Sequence, residues 1–286
     1  MKKSLIALAL IGAFAAPAFA EEAAPAAAEA KGPHTITANA GLFSEYRFRG
    51  IGQTFGKPAI QGGFDYSHES GLYLGNWNSN VSETAGYPNG NIEMDFYGGW
   101  KWAITDDLGL DFGGLYYYYP GSNKSGISGS TYTYQVCNPN TGNCSNSDSP
   151  VTNGELYVGV NWKFLSFKWS HAVTEYFGMP DSRGSNYFDL SANYDLGDGW
   201  GINGHVGRLN VKHASLASYT DWKLGVTKDV GGFVFGLSYV DTNAKDGGDC
   251  GSGTGEFYHF CKASGSSNKD YRAGKAAAVL SVSRTF

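Results

Sequence analysis

The fold is decided by the stretch Ile92-Glu-Met-Asp-Phe-Tyr-Gly-Gly-Trp-Lys-Trp102. Its alternate positions form an apolar set and a polar set. The apolar set contains Ile92, Met94, Phe96, Trp100 and Trp102, and the polar set contains Glu93, Asp95, Tyr97 and Lys101. Because a β-strand sends successive side chains to opposite faces, this pattern predicts a strand with one apolar face and one charged face. The stretch is long enough to cross a bilayer as a tilted strand.

The same alternation recurs along the chain and predicts about twelve strands. They are Ile36–Phe48, Ile60–Ser67, Leu72–Val81, Ile92–Trp102, Leu108–Tyr119, Glu155–Phe164, Ser166–Tyr176, Tyr187–Asp195, Trp200–Leu209, Thr220–Lys228, Phe233–Asp241 and Ala276–Phe286. A tight turn, most often rich in Gly or Asp, follows every second strand, and the remaining connections are all longer.

This alternation of short and long connections predicts an all-β fold, a transmembrane antiparallel up-and-down β-barrel of about 12 strands. Outer-membrane barrels have an even strand count, short periplasmic turns and long external loops. The alternative is a soluble β-sandwich, which has no physical reason to place every tight turn at one end. The 41 glycines among 286 residues also suit a barrel in which some inward positions stay small.

Aromatic residues near the tight turns predict a belt at the periplasmic membrane interface. The belt is expected to hold Trp100, Trp102, Trp162, Phe164, Phe167, Trp169, Tyr194, Trp200 and Phe233. The last predicted strand ends in Phe286, which resembles the C-terminal signature that barrel assembly machinery reads in outer-membrane proteins. Arg284 departs from that signature, although an arginine near the headgroups can reach water.

The N-terminal sequence predicts export. Residues 1–20 read as a signal peptide, with Lys2 and Lys3 before an apolar run and Ala18-Phe-Ala20 as the cleavage site. Residues 21–33 read as a disordered leader, which leaves 34–286 for the barrel. The formal net charge of −5 becomes −7 once Lys2 and Lys3 are removed. This acidic balance argues against nucleic acid as a partner.

The four cysteines form two local pairs, Cys137/Cys144 and Cys250/Cys261, in the two longest loops. In an exported protein these pairs predict two disulfides. Zinc is the alternative, but the spacings lack the two-residue gap of zinc sites and no His pair accompanies them. No metal site and no cofactor are expected.

A second resemblance concerns the start of the predicted barrel. The stretches Gly41-Leu-Phe-Ser-Glu-Tyr-Arg-Phe-Arg-Gly-Ile-Gly-Gln-Thr54 and Lys57-Pro-Ala-Ile-Gln-Gly-Gly-Phe-Asp-Tyr66 are similar to the opening of the TorF family of putative porins. The resemblance implies a barrel in the outer membrane of a Gram-negative bacterium. It supplies no catalytic or substrate-binding residue.

The inward face of the predicted barrel is polar. Twelve strands give a backbone diameter of roughly 24 Å, which leaves a bore on the order of 10 Å. Charge on an inner face is costly unless water or a partner is present, so the lumen is expected to be a water-filled pore or a network of ion pairs. The pore-lining candidates are Glu45, Arg47, Arg49, Glu93, Asp95, Lys101, Asp111, Tyr117, Tyr119, Glu155, Lys163, Lys168, Asp189, Asp221 and Lys223.

The predicted heights of these residues suggest how the pore selects solutes. The acids Glu93, Asp95, Glu155, Asp189 and Asp221 cluster at the external end, opposite Arg47 and Arg49. This distribution predicts a mild preference for cations. Tyr117 and Tyr119 could stack on sugars or aromatic solutes, or simply narrow the lumen.

The predicted function is therefore a porin for passive diffusion of ions or small hydrophilic solutes. Its expected partners are outer-membrane lipid, these solutes and, during biogenesis, the assembly machinery. A non-conducting structural or adhesin barrel is the alternative. An outer-membrane enzyme is disfavoured because Ser170 and His171 have opposite parity, so they cannot form a nucleophile–base pair.

Overall fold

The computed structural model describes residues 32–125, 136–249, 256–264 and 267–286. The predicted signal peptide and all but the last two residues of the predicted leader lie outside the described residues, so both stay predictions. The predicted barrel region begins where the described chain becomes a strand, at His34.

Twelve strands close into one antiparallel barrel, in which the first strand pairs with the last to complete the ring. The barrel strands are β1 (His34–Phe43), β4 (Ala59–His68), β5 (Leu72–Asn80), β6 (Ile92–Ala103), β7 (Leu108–Tyr118), β8 (Thr152–Trp162), β9 (Leu165–Ala172), β10 (Asn186–Gly197), β11 (Trp200–Asn210), β12 (Tyr219–Val230), β13 (Phe233–Thr242) and β16 (Ala277–Thr285). Each is hydrogen-bonded to the neighbours that an up-and-down order requires. The predicted fold is confirmed.

Two small hairpins lie within the long loops. They are formed by β2 (Arg47–Phe48) with β3 (Ile51–Gly52) and by β14 (His259–Ser264) with β15 (Ser267–Arg272). Three single 3₁₀ turns, Glu83–Ala85, Tyr176–Gly178 and Ser215–Ala217, also lie in long loops. In the part of the chain that the structure describes, no helix has the length and apolar character needed to span a membrane.

The outside of the barrel is apolar. Outward side chains such as Ile36, Phe64 and Leu224 are 74%, 63% and 64% exposed. Such a surface around a whole barrel is stable only in contact with lipid, which is why this is a transmembrane barrel. The aromatic belt lies at the short-turn end, as predicted, except for Trp169. That indole reaches the opposite end of its strand, where Nε1 donates to Oδ1 of Asn186, 2.9 Å away.

Several strand boundaries differ from prediction, and three of these differences affect residues of interest. The first strand ends at Phe43, five residues early, and the chain then leaves the wall. The seventh ends at Ala172, so Tyr176 lies in a loop. Lys163 lies in the turn between β8 and β9 with φ of 56°, not on a strand. In each case the alternating sequence pattern continues past the last residue of the strand.

Inward tyrosines pack over inward glycines of the next strand. Gly75 is directly opposite Tyr97, and Gly113 is directly opposite Tyr157. A Cβ at Gly75 would lie 2.6 Å from Oη of Tyr97, so only glycine leaves room for the ring. These pairs fill the lumen near the wall and fix the register between strands.

We expect Gly113→Ala to destabilise the barrel by about 1–3 kcal/mol, because the new Cβ would enter the space of the Tyr157 ring and lie 2.8 Å from the carbonyl oxygen of Gly98. Gly114→Ala is the matched control, since a Cβ there has no neighbour closer than 3.5 Å. The measurement is the temperature at which the folded gel band converts to the unfolded one. Equal shifts for both variants would contradict the packing argument.

Candidate functional site

The site begins with a loop that folds into the barrel. Between β1 and β4, the ten consecutive residues Glu45–Thr54 are all buried. We call Glu45–Thr54 the inner segment. A loop lying over the barrel rim would keep one side in water, so ten buried residues in a row place this segment inside the lumen.

The tip of the inner segment is a tight hairpin. Arg47 pairs with Gly52 and Phe48 pairs with Ile51, which leaves Arg49 and Gly50 as the turn. Both turn residues have positive φ, 47° and 79°. This is the conformation of a two-residue hairpin turn with left-handed backbone, in which a glycine at the second position relieves strain. The turn presents the Arg49 guanidinium at the farthest point of the segment.

Arg49 crosses the lumen to the opposite wall. Its two terminal nitrogens donate to the two carboxylate oxygens of Glu155 over 3.0 and 2.7 Å. Glu155 belongs to β8, five strands from β1 in one direction around the ring and seven in the other. The guanidinium also lies 4.2 Å from the centre of the Tyr187 ring on β10. A bidentate pair of this kind fixes both position and orientation.

The base of the inner segment is held by the chain that leads into β16. Nη1 of Arg47 donates to the carbonyl oxygens of Ala273 and Lys275 over 2.8 and 2.9 Å. Nη2 of Arg47 is 2.9 Å from the carboxylate of Glu45. Tyr271 donates a short hydrogen bond to the same carboxylate. The tip and the base of the inner segment are therefore both held by charged groups that are shielded from water.

Two further carboxylates face the inner segment from β6. Glu93 and Asp95 are 1% and 0% exposed. Tyr46 donates to Glu93 over 3.0 Å. Neither carboxylate oxygen of Asp95 has a hydrogen-bond partner among the described residues. An unpaired buried carboxylate is costly, so this wall is an electrostatically strained part of the closed state.

A histidine lies between two carboxylates on the β10–β12 wall. Nδ1 of His205 is 2.8 Å from Asp189, and its Nε2 is 3.5 Å from Asp221. Tyr187 donates to both oxygens of Asp221 over 3.2 Å. Sequence parity predicts that His205 faces inward, although His205 is not among the pore-lining candidates given above. Its inward parity between two inward acids was the signal that could have identified it.

The strand register arranges the charged candidates in one row around the wall. Residues directly opposite each other on successive strands run Lys101, Asp111, Gly159, Lys168, Asp189, Gly207 and Asp221. Lys101, near the short-turn end, and Lys168, halfway along its strand, are only partly buried, as is Lys223 on β12. Because these side chains are inward, water reaches them from the lumen. Lys163 does not join the row, since its side chain is 52% exposed in a turn, 3.8 Å from Asp107.

Tyr117 and Tyr119 lie at the long-loop end but are 1% and 0% exposed. Tyr117 packs edge-on against Phe48 of the inner segment, with ring centres 5.5 Å apart. Tyr119 stacks on Tyr87, with ring centres 3.8 Å apart. With the inner segment in place, neither ring has a free face for a solute.

Burial raises the pKa of several tyrosine hydroxyls in this region. It raises the pKa of Tyr46 and of Tyr87 well above the ordinary tyrosine value. Burial also raises the pKa of Tyr176 to about 12, although the nearby Arg49 guanidinium opposes the shift. These hydroxyls stay protonated and can donate even in alkaline solution, as Tyr87 does to Oε1 of Gln53 over 2.7 Å.

The first cysteine pair forms the predicted disulfide between Cys137 and Cys144, so the zinc alternative is wrong for that pair. Cys250 lies outside the described residues, while Cys261 is disulfide-bonded. His259, Cys261 and Asp270 lie close enough to suggest a metal site. A disulfide sulfur is not a thiolate, so this group lacks the sulfur ligand that a metal would need.

Ser170 and His171 occupy opposite faces of β9, as predicted. Ser170 is 3% exposed, and Nδ1 of His171 lies 2.9 Å from Oδ1 of Asn186. The two side chains do not form a nucleophile–base pair.

We expect Arg49→Ala to destabilise the closed state by about 3–5 kcal/mol, because it leaves Glu155 buried without its cation. Lys163→Ala, which breaks the exposed pair with Asp107, should cost less than about 1 kcal/mol. Thermal unfolding of both variants in detergent measures the difference. A double variant, Arg49→Glu with Glu155→Arg, should recover part of the loss. If R49A proved as stable as K163A, the cross-lumen pair would not hold the segment.

Comparison with known proteins gives one family and several similar folds. No curated protein matches the chain. Among solved structures, the KdgM porin has a TM-score of 0.47 at 6% identity, over 87% of this chain and 99% of that one. The NanC porin has a TM-score of 0.46 at 10% identity, over 88% and 99% of the two chains. The resemblance to the TorF family stays a prediction. Since a family model matches residues 27–286, the chain belongs to the family described as "Bacterial protein of unknown function (Gcw_chp)".

Proposed function

We propose that the protein is a channel of the bacterial outer membrane, that it passes ions or small hydrophilic solutes, and that the inner segment closes its long-loop end. The observation that carries the proposal is the division of the lumen into two halves. The short-turn half is lined by partly exposed charged side chains such as Lys101. The other half is filled largely by one loop.

A loop that closes a barrel can leave the lumen, whereas wall side chains that fill it cannot. The inner segment belongs to the connection between β1 and β4, so it can leave the lumen without breaking the hydrogen bonds between barrel strands. Its attachment rests on side-chain pairs and short backbone contacts. Loops of this kind are the elements that move in gated sites.

Charge at the long-loop end supports a preference for cations. Six buried carboxylates lie on the barrel wall and the inner segment there, those of Glu45, Glu93, Asp95, Glu155, Asp189 and Asp221, against the two guanidinium groups of Arg47 and Arg49 on the inner segment. When the inner segment leaves, its two arginines and Glu45 leave with it, and the wall carboxylates remain. Their field attracts cations and repels anions.

A non-conducting barrel is the second candidate. The buried Arg49–Glu155 pair favours it, because a pair that is 5% and 2% exposed could make the closure permanent. The two candidates differ in what happens when the segment is displaced. A channel then conducts, whereas an otherwise filled barrel does not.

We expect Gly50→Val to open the barrel and leave the wall unchanged. A β-branched residue at φ of 79° is strained, and its Cβ would lie 2.7 Å from Cβ of Asp221. The variant should show larger and more frequent current steps in a planar bilayer than the unaltered protein. Trypsin should also cut it after Arg47 or Arg49.

Gly56→Val is the matched control, because Gly56 also has positive φ but its nearest neighbour would be a Tyr271 carbon at 3.5 Å. It should conduct like the unaltered protein. If trypsin cuts the Gly50→Val segment and the protein still passes no current, the channel proposal is wrong and the non-conducting alternative stands.

Ion selectivity tests the charge argument separately. In a potassium chloride gradient, the Gly50→Val channel should give a reversal potential of the cation-selective sign. Adding Asp111→Asn should reduce that potential, and adding Lys168→Gln should increase it, since these residues occupy one row on the wall. An anion-selective potential in the Gly50→Val channel would contradict the assignment of the wall carboxylates.

A further inference from the structure

A cavity of about 670 Å³ lies where the long loops converge above the inner segment. Its lining comes from the inner segment and from five other connections, through residues that include Tyr87, Phe177, Leu216 and Phe257. The volume falls within the range of pockets that hold small organic ligands. The cavity is separate from the charged row on the barrel wall.

The walls are made mainly of aromatic rings. Eight phenylalanine and tyrosine rings line the cavity, among them Phe48 of the inner segment and Tyr258 of the last long loop. Aromatic rings contact other rings favourably in edge-on and offset arrangements. Most polar groups here are already satisfied, as Tyr258 shows by donating to the carbonyl oxygen of Ala217 over 2.7 Å.

The cavity offers no net charge to a ligand. Its lysine and its carboxylate, Lys245 and Glu256, are both exposed and opposite in sign. The Glu256 carboxylate accepts from the backbone nitrogen of Gly247 over 2.7 Å. The buried His259 adds one Nε2 atom that makes no hydrogen bond among the described residues, and Asp270 lies 3.8 Å from it.

Phe177 lies at the centre of the aromatic cluster that lines the cavity. Its backbone has φ of 48° and ψ of 39°, a left-handed conformation that is unfavourable for a bulky residue. This backbone places its ring among the rings of Phe48, Tyr87, Tyr117, Tyr119 and Tyr176, with centres 4.8 to 6.4 Å away. Strain of this kind concentrates at binding and catalytic sites.

We propose that this cavity binds an uncharged aromatic molecule of one to three rings that carries a hydrogen-bonding group. The rings of the ligand contact the aromatic rings that line the cavity, and its polar group forms a hydrogen bond with His259. The inner segment forms the floor, through Phe48, Ile51 and Gln53. A bound ligand therefore also contacts the segment that closes the lumen.

Binding of indole to the full-length protein in lipid nanodiscs tests the proposal, by calorimetry with empty nanodiscs subtracted. We expect saturable binding of one indole per protein. Cyclohexanol and glucose should bind at least tenfold more weakly, because neither offers an aromatic face. The proposal is overturned if indole shows no saturable binding, or if cyclohexanol or glucose binds as tightly.

Phe257→Ala should weaken indole binding about tenfold by removing one wall. Phe55→Ala is the matched control, because both rings are partly buried and each has a tyrosine ring centre 4.8 Å away, but only Phe257 lines the cavity. Phe55→Ala should bind indole like the unaltered protein. An equal loss in both variants, each verified as folded by heat-modifiable gel migration, would show that the binding is not at this cavity. Conductance is not part of the readout, so this result does not depend on the channel proposal.

Discussion

The closed state of this barrel depends on one constraint, the cost of placing charge inside a tube that is surrounded by lipid. The Arg49 guanidinium and the Glu155 carboxylate would each be expensive alone in the filled half of the lumen. Together they form two hydrogen bonds across the lumen. This contact fixes the tip of the inner segment, and the contacts of Arg47 with Ala273 and Lys275 fix its base.

The same constraint explains why the two halves of the lumen differ. At the long-loop end, most carboxylates are paired with arginine, with His205 or with tyrosine hydroxyls, while Asp95 has no hydrogen-bond partner among the described residues. Nearer the short-turn end, Lys101 and Asp111 are directly opposite residues on neighbouring strands, and the lysine is also partly exposed to water. A lumen with this arrangement suits passage of water and ions through its short-turn half and closure of its long-loop half. It is also why displacing a single loop is the step that decides between a channel and a filled barrel.

Glycine and tyrosine have complementary roles in this architecture. Tyr97 and Tyr157 fill space on the inner wall only because Gly75 and Gly113 leave it free. Above the wall, aromatic residues of several loops meet around Phe177, and the strained backbone of that residue sets the shape of the cavity. Since Phe48 belongs both to this cluster and to the inner segment, occupancy of the cavity and the position of the segment are physically connected.

The sequence by itself determined the barrel, because strand periodicity and turn length are local properties. The alternation in Ile92–Trp102, the order of short and long connections and the spacing of Cys137 and Cys144 were enough for the strand count, the topology and one disulfide. Parity also identified most inward residues, including Asp95, Asp189 and Asp221. Only the tertiary structure decided where Arg47 and Arg49 lie. Their alternation continues that of β1, and nothing local distinguishes a strand from a hairpin that turns into the lumen. The distinction depends on Glu155, which is more than a hundred residues away in the sequence and becomes the partner of Arg49 only when the barrel closes.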